Sequence, residues 1–415
     1  MRSPEQFGTV AFKTNPYPAY AAWRIDEPVK RVTLPNGQHA WLITRYDDAA
    51  AALKDMRLVK DRSRAFTPAQ ATKQPWVPGF FKPLTRNMLD LDAPDHTRLR
   101  SLVHNVFTPR IVERLADRVT RLADALLDDA LARRRAAQPI DLIREFALPM
   151  PAIIIAEMLG APSEDIHRFH GWSSTIAAAD ASRWGVVKGI PSVVSFLRYI
   201  RGMVSARRAG LRARDGSQPA DDLLTSLVRA EQDGDRLSED ELVAMVFLLL
   251  VAGHETTINL IGNGVLALLQ HPAELDRLRS EPALIGTAVE ELLRFSGPLE
   301  MATERFASED IPIGNVTIPR GELVYVVLAS ANRDERQFAG ADELDITRAP
   351  NRHLAFGHGV HFCLGAPLAR LEGAIAIATL VRRAPTLRLA APVSSLAWRT
   401  GLVLRGLRSL PVSMD

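Results

Sequence analysis

The feature that most limits the possible folds is a long apolar segment in the middle of the chain. Ser238, with Glu241 three residues later, forms a capping box, and the apolar pattern then continues to Gln270, where Pro272 ends it. A helix of roughly thirty residues with so few charges must cross the core of the protein. Its strongly apolar part, 242–253, is about half the length that a bilayer requires, so we expect a buried helix and no membrane anchor.

Small and polar residues interrupt this segment at its centre, in the order Gly253, His254, Glu255, Thr256 and Thr257. The pair His254-Glu255 begins the zinc-protease motif HExxH, but residue 258 is isoleucine, so the second ligand is missing and that function is excluded. Threonine hydroxyls bond the carbonyl four residues back and glycine weakens the turn, which predicts a local opening of the helix; a bent but inert helix is the alternative. A buried Glu255 carboxylate needs a partner or a water-filled pocket.

The rest of the chain predicts a mainly α protein with small β-sheets. A helical period dominates residues 96–281, whereas Pro35-Asn36-Gly37 between two β-rich runs indicates a hairpin and 311–330 carries further strand signals. We expect a single domain over residues 1–415, β-rich over about 1–60 and α-rich afterwards. The Pro- and Gly-rich segments 63–89 and 178–191 are predicted to be irregular, either lids over a binding site or exposed excursions.

Charge and cysteine content limit the compartment and the partners. The 51 Lys and Arg residues nearly balance the 48 Asp and Glu residues, and they do not alternate with aromatic residues, so nucleic acid is not an expected partner. The N-terminus lacks the pattern of a secretory signal, and the single cysteine cannot form an intrachain disulfide. We therefore expect a cytoplasmic protein.

That cysteine, Cys363, lies in the segment RHLAFGHGVHFCLGAPLARLEGA. Glycines at 357, 359 and 365 permit a tight backbone around it, and a helix is predicted from Ala366 to Leu380. The amides and macrodipole at that helix N-terminus stabilise negative charge, which predicts a thiolate and a good metal ligand. Two metal sites compete: a zinc site of His353, His358, His361 and Cys363, or Cys363 as the axial thiolate of a haem iron. The crowding of all four zinc ligands into one short loop favours haem.

At this point the chain resembles the cytochromes P450, haem-thiolate monooxygenases, in their soluble bacterial form. The cysteine loop matches the family pattern F-G-x-G-x-H-x-C-x-G at Phe356, Gly357, Gly359, His361, Cys363 and Gly365. The A-G-x-[D/E]-T pattern of the central helix corresponds to Ala252, Gly253, Glu255 and Thr256. The E-x-x-R pattern is Glu291 and Arg294, and H-x-x-x-R is His96 and Arg100. These motifs occur in the family's order, so the resemblance covers essentially the whole chain.

Glu291 and Arg294 share one helix face, which by itself describes an ordinary surface ion pair. The resemblance implies a third partner, Arg348, in the loop ahead of the cysteine. That loop departs from the family pattern in having Leu344 where many members have Phe.

The resemblance also implies the cofactor and its contacts. Cys363 is expected to ligate the iron of haem b, with Phe356 and Gly365 in the same binding loop. His96, Arg100, Arg305 and His361 are expected to hold the two haem propionates, because Arg and His suit carboxylates and a buried dianion needs positive charge. His353 and His358 have no counterpart in the family pattern, and we interpret them as loop or surface residues. Glu255 and Thr256 are expected to deliver the protons that O–O cleavage requires.

The substrate pocket is expected on one face of the central helix and in nearby loops. Leu248, Val251, Ala252 and Thr256 share a face of that helix, and the segment 298–303 contributes Leu299 and Met301. The irregular segments, which match the family's substrate-covering loops, add further apolar residues, namely Phe66, Trp76, Val77, Phe80 and Ile176. We expect hydroxylation, or epoxidation, of a bulky lipophilic molecule such as a macrolide, another polyketide or a steroid-like compound. The resemblance is closest to actinobacterial hydroxylases of secondary metabolites.

No flavin or nicotinamide fingerprint occurs in the sequence, so electrons from NAD(P)H are expected through an external ferredoxin and its reductase. Arg98, Arg110 and Arg114 are either part of a docking face or solvated helix charges. We expect a monomer. Two alternatives from other functional classes remain: a haem-thiolate protein that only binds or senses ligands, and a peroxide-driven peroxygenase. The first would not need Glu255 and Thr256, and the second would replace them with a partner for a substrate carboxylate.

Overall fold

A computed structural model describes the chain over residues 9–34, 36–67, 70, 84, 86–104, 108–133, 138–166, 168–169, 171–172, 175, 183–212, 222–232 and 237–414. It is mainly helical with three small sheets, as the sequence predicts. The central element is the helix Glu239–Gln270. We call it the central helix.

The central helix begins and ends where the sequence places its signals. Ser238 accepts a hydrogen bond from the Glu241 backbone and Glu241 returns one, so the predicted capping box is present. The helix packs against the helices before and after it in the chain, and most of its residues are buried. By length and composition it is the one helix in the described residues that could cross a membrane. Its burial inside the protein is that of a core helix.

The other helices form two groups by their position in the chain, one before and one after the central helix. The first group precedes it: α1 (Val10–Thr14), α2 (Tyr17–Asp26), α3 (Tyr46–Lys54), α4 (Arg62–Ala65), α5 (Asp95–His104), α6 (Pro109–Glu113), α7 (Ala116–Arg133), α8 (Pro149–Met158), α9 (Arg183–Arg212) and α10 (Leu223–Gln232). The second group follows it, the central helix counting as α11: α12 (Pro272–Ser280), α13 (Ile285–Ser296), α14 (Leu328–Ala331) and α15 (Ala366–Arg383). Helices α8, α13 and α15 make its main contacts.

The largest sheet has the strand order β1-β2-β8-β5-β3, with β1 (Val29–Thr33), β2 (His39–Ile43), β3 (Leu58–Val59), β5 (Arg305–Ala307) and β8 (Leu323–Val326). Strands β1 and β2 form the predicted hairpin, and Gly37 supplies the positive φ of its turn at +81°. Two smaller sheets contain β4 (Ile140–Asp141), β9 (Arg388–Leu389) and β10 (Pro411–Ser413), and β6 (Ile311–Ile313) and β7 (Val316–Ile318). The large sheet thus joins the N-terminal sixty residues to a segment some 250 residues later, and it places Arg305 beside β3.

One predicted irregular segment is partly helical. The prediction for 178–191 is wrong from Arg183 onward, because α9 begins there and contains Pro191. Proline removes a backbone hydrogen bond, but the buried stripe of Val193, Phe196 and Ile200 offsets that loss through packing. Residues 178–182 lie outside the described part of the chain, as does most of 68–85.

Candidate active site

The cysteine loop has the tight backbone that its glycines predict. Gly357 and Gly359 adopt positive φ angles of +71° and +72°. At Gly359 a Cβ atom would stand 2.9 Å from the Leu53 carbonyl oxygen, so a side chain has no room there. The Cys363 amide donates to the carbonyl of Phe356 at 2.9 Å, which closes the loop immediately before α15.

The Cys363 side chain is exposed, although protein atoms crowd around its sulfur. Burial raises the pKa of the thiol above its ordinary value, while the Gly365 and Ala366 amides and the charge of Arg100 act in the opposite direction. The prediction that the helix N-terminus holds the Cys363 sulfur as a thiolate and metal ligand stays a prediction. The amides act in the expected direction, but burial outweighs them. A bound metal ion would supply the missing stabilisation of the anion.

The zinc alternative fails. In the part of the chain that the structure describes, which includes all four proposed ligands, no three His, Cys, Asp or Glu side chains come together as a metal site. Cys363 is left as a single ligand, which suits a cofactor that provides the remaining ligands itself.

Basic side chains gather beside the loop, as the resemblance implies. The rings of His96 (α5) and His361 lie 4.3 Å apart between centroids, and both residues line a cavity together with Arg305. His96 and Arg305 are buried, and His96 Nε2 and Arg305 Nε have no hydrogen-bond partner among the described residues. Arg100 donates to the Phe362 carbonyl at 2.7 Å, next to the cysteine.

A further cation, Lys60 at the end of β3, belongs to this group and was missed in the sequence. Its buried ammonium donates to the Thr303 hydroxyl and to the Glu304 carbonyl. Burial, followed by the charge of Arg305, lowers the pKa of Lys60 to about 7. Burial and then the charge of Lys60 lower the pKa of His361 to about 2. Several donors crowded into one buried place fit a group that brings two carboxylates, so the haem propionates suit this cradle. The side chain of Lys60 bonds residues more than 240 positions away in the sequence, so no local sequence pattern could have identified it.

The E-x-x-R pair is not a surface ion pair, and that reading of it is wrong. Glu291 and Arg294 on α13 are fully buried, and their side chains make two hydrogen bonds of 2.8 Å. Arg348 donates to Glu291 at 3.2 Å, as the resemblance implies, and Asn351 donates to it at 3.0 Å. Arg294 also donates to three backbone carbonyls, at Asn332, Ala341 and Glu343. These hydrogen bonds connect α13 to the loop that leads into the cysteine segment.

One stripe of the central helix is accessible within an otherwise buried helix. Ala252 is exposed, and Leu248, Val251 and Thr256 are half-buried, so the four residues line one face as predicted. Thr256 Oγ1 donates to the Ala252 carbonyl four residues back at 3.0 Å. The predicted opening of the helix is wrong, however, because the helix is continuous through this region. The threonine hydroxyl bonds the backbone without breaking the turn.

Glu255 has the partner that its burial requires. Its carboxylate accepts a hydrogen bond from Arg399 Nη1 at 2.9 Å, and His254 Nε2 lies 3.8 Å from its other oxygen. Burial lowers the pKa of His254, which is therefore neutral at physiological pH. Arg399 is half-buried and lies in the C-terminal segment, so its pairing with Glu255 could not be predicted from the sequence.

The expected loop residues of the pocket divide into two groups. Leu299 is half-buried beside the large sheet, whereas Met301 is fully buried in a cluster with Tyr20 and Phe306. The prediction that Met301 lines the pocket is wrong: apolar packing under the N-terminal helices takes it into the core. Phe66 is half-buried with its ring 5.8 Å from that of Phe306. Trp76, Val77, Phe80 and Ile176 lie outside the described residues.

Two residues expected at the surface are not free there. His353 lies in a loop, as one part of its interpretation has it, but its side chain is buried against Glu290, so it is not a surface residue. Arg98 pairs with Glu241, the capping residue of the central helix, and with Asp95. Arg110 and Arg114 are exposed, and His358 is half-buried.

Comparisons with known proteins show what the whole chain is similar to. Residues 192–385 match the family described as "Cytochrome P450". The polyketide biosynthesis cytochrome P450 PksS of Bacillus subtilis is 43% identical, over 97% of this chain and 97% of its own. The vitamin D(3) 25-hydroxylase of Pseudonocardia autotrophica is 45% identical, over 97% of this chain and 94% of its own. The crystal structure of the myxobacterial cytochrome P450 CYP267B1 in complex with myristic acid superposes with a TM-score of 0.91 at 41% identity, and 99% of each chain is covered.

Proposed function

The chain belongs to the cytochrome P450 family, and from this we propose that it hydroxylates a bulky lipophilic polyketide or steroid-like molecule. The family makes it a monooxygenase that uses haem b and receives electrons from external redox proteins. The observation that carries the assignment of the site is the exposed Cys363 in a glycine-wrapped loop, near the cavity where His96 Nε2 and Arg305 Nε have no hydrogen-bond partner among the described residues.

These residues would hold the cofactor. Cys363 would provide the sulfur ligand, and His96, Arg100, Arg305, His361 and Lys60 would provide donors to the propionates. Held by a thiolate ligand, haem b would supply the activation of dioxygen: with two electrons from the redox proteins and two protons, one oxygen atom would enter a C–H bond and the other would leave as water. The same centre would epoxidise a double bond presented in place of the C–H group. Everything else depends on how the chain holds the substrate and supplies protons.

Thr256 and Glu255 are proposed to supply those protons. Thr256 Oγ1 lies on the accessible face of the central helix, so its hydroxyl can hydrogen-bond oxygen or an ordered water beside that face. Glu255 points away, into its ion pair with Arg399. Rotation of the carboxylate between Arg399 and Thr256 would carry a proton from the solvent side to the cavity. Arg399 is half-buried, so in this proposal it is the point at which the proton path meets the solvent.

The substrate class is proposed from the cavity face and from the relatives. Leu248, Val251 and Ala252 offer only apolar contacts, and the small Ala252 side chain leaves space beside the helix. One similar protein is named for polyketide biosynthesis and another is a vitamin D(3) hydroxylase, and a similar structure holds a fatty acid. These molecules share a large apolar surface. We therefore place lipophilic polyketides first and steroid-like molecules second among the candidates.

The electron donor is proposed to be a small acidic ferredoxin served by an NAD(P)H-dependent reductase. Arg110 and Arg114 are exposed on and just after α6, which packs against the cysteine helix α15, and can attract an acidic partner. Arg98 is not included in this proposed docking face, because it already forms ion pairs with Glu241 and Asp95. We propose a cytoplasmic monomer.

A ligand screen followed by turnover tests this function. Haem-loaded protein would be titrated with macrolactones, sterols and fatty acids, and binding would be read as the low-to-high-spin shift of the iron. Ligands that bind would then be incubated with ferredoxin, reductase, NADPH and dioxygen, and a product heavier by one oxygen atom is expected. Binding without any product would favour the ligand-binding alternative. Product formed equally well with peroxide alone would favour the peroxygenase.

A further inference from the structure

Glu290, beside the buried Glu291, holds two side chains of the cysteine region at once. Its carboxylate accepts hydrogen bonds from Arg370 Nε at 2.6 Å and Nη2 at 2.9 Å, and it lies 3.1 Å from His353 Nε2. His353 precedes the cysteine by ten residues and Arg370 follows it by seven. We call Glu290, His353 and Arg370 the Glu290 cluster. It joins both sides of the loop to one helix, α13.

The hydrogen bonds define the state of His353. The Ala355 amide donates to His353 Nδ1 at 3.2 Å, so Nδ1 is an acceptor and Nε2 carries the proton that goes to Glu290. Both ring nitrogens of His353 thus have a hydrogen-bond partner. The one negative charge of Glu290 is matched by the one positive charge of Arg370, and the two hydrogen bonds from Arg370 hold its guanidinium in a fixed plane.

The fixed guanidinium lies over the Phe356 ring, 4.5 Å from the ring centroid, and the His353 ring lies 6.0 Å from the same ring. Phe356 in turn accepts the backbone hydrogen bond of Cys363 at 2.9 Å. The path from Glu290 to the cysteine backbone is thus continuous: carboxylate, guanidinium, aromatic ring and carbonyl. A rigid support of this kind is what a ligand atom needs to keep its position.

We propose that the Glu290 cluster is a positioning element for the iron ligand: it fixes Phe356 and so the Cys363 sulfur. It also holds in place the guanidinium of Arg370, whose positive charge acts on Cys363 in favour of the thiolate. This inference rests on the proposed role of Cys363 as the haem ligand. None of the three residues touches the reacting atoms. Their effect is on how firmly the thiolate stays bound and on the reduction potential of the iron.

The first test follows thiolate ligation in the haem-loaded protein. The absorption band of the reduced CO complex distinguishes thiolate from neutral ligation, and its decay in mild urea measures how firmly the ligand is held. We expect Glu290→Ala to speed this decay about tenfold, the size that the loss of a charge-assisted hydrogen bond gives. His353→Leu should speed it severalfold, and His353→Gln, which keeps a donor near the Nε2 position, should restore it to within about twofold. Glu281→Gln is the control, because its pair with Arg277 is exposed and loose at 3.8 Å.

The second test is the reduction potential measured by dye titration, which a role limited to stability would not change. Arg370→Gln should lower the potential, because removing a positive charge near the sulfur favours the oxidised iron; Arg370→Lys should leave it close to that of the wild type. Equal decay rates in all variants, or a potential unchanged in Arg370→Gln, would overturn the proposal. If the wild-type protein itself lacked the thiolate band, the proposed role of Cys363 would fail instead, so the two failures are distinguishable.

Discussion

Replacing Glu291 with glutamine removes the negative charge of a fully buried ion pair with Arg294. The carboxylate receives two hydrogen bonds from Arg294, one each from Arg348 and Asn351, and one from the Asp345 backbone amide. Arg294 is 1% exposed, so its charge would be left in the core without a counter-ion. Breaking a buried pair in this way costs about 3–5 kcal/mol. The exposed pair of Glu281 and Arg277 should contribute less than about 1 kcal/mol.

The size of the protein converts this loss into a modest temperature shift. With an unfolding entropy of about 2.1 cal/mol/K per residue, a chain of 415 residues loses roughly 1 °C of Tm for each kcal/mol. We therefore expect Glu291→Gln to unfold about 3–6 °C below the wild type, and Glu281→Gln within about 1 °C of it. The assay is far-ultraviolet circular dichroism of the haem-loaded protein at one fixed scan rate. A Glu291→Gln protein as stable as the Glu281→Gln control would refute the reasoning.

Four further predictions concern proton delivery, buried charge and docking. Thr256→Ala should retain haem and substrate binding but divert reducing equivalents to peroxide; an unchanged yield of product per NADPH would contradict the role of its hydroxyl. Glu255→Gln should lower kcat by about a hundredfold, as loss of a proton-transfer group does, and Arg399→Gln by roughly tenfold, both measured at saturating substrate. Burial raises the pKa of Glu372 on α15 from 4.5 to about 8, although the nearby Thr257 hydroxyl acts to lower it. Neither carboxylate oxygen of Glu372 has a hydrogen-bond partner among the described residues. Because the pKa is raised in the folded state, the stability of the wild type should fall as pH rises from about 4.5 to 8. The Tm of Glu372→Gln should therefore rise relative to that of the wild type over the same pH range. A difference in Tm between the two proteins that does not change with pH would contradict this. Finally, the rate of reduction by an acidic ferredoxin should fall with rising salt, and less steeply in Arg110→Gln/Arg114→Gln, when followed by stopped flow.

Local signals in the sequence predicted the elements that local contacts build. The capping box of Ser238 and Glu241 gave the start of the central helix, and Asn36-Gly37 gave the hairpin, because both depend on residues a few positions apart. The glycines at 357 and 359 gave the tight cysteine loop for the same reason. The helical spacing of Leu248, Ala252 and Thr256 also gave the accessible face correctly.

Contacts between distant segments decided what the sequence could not predict. Arg399 reaches Glu255 across 144 residues and His353 reaches Glu290 across 63, so neither partner could be inferred from spacing. Burial turned the apparent surface pair of Glu291 and Arg294 into a core cluster and drew Met301 away from the pocket. At Cys363 the Gly365 and Ala366 amides act on the thiol pKa in the expected direction, but burial of the sulfur acts against them and raises it.

The most direct test of the central claim is the absorption spectrum of the reduced, CO-bound protein. If Cys363 binds the haem iron as a thiolate, the Soret band should lie far to the red of its position in histidine-ligated haem proteins. Cys363→His should remove that shift. Cys363 is the only cysteine in the sequence, so no other thiol could replace it. A wild-type Soret band at the position typical of histidine ligation would contradict the account.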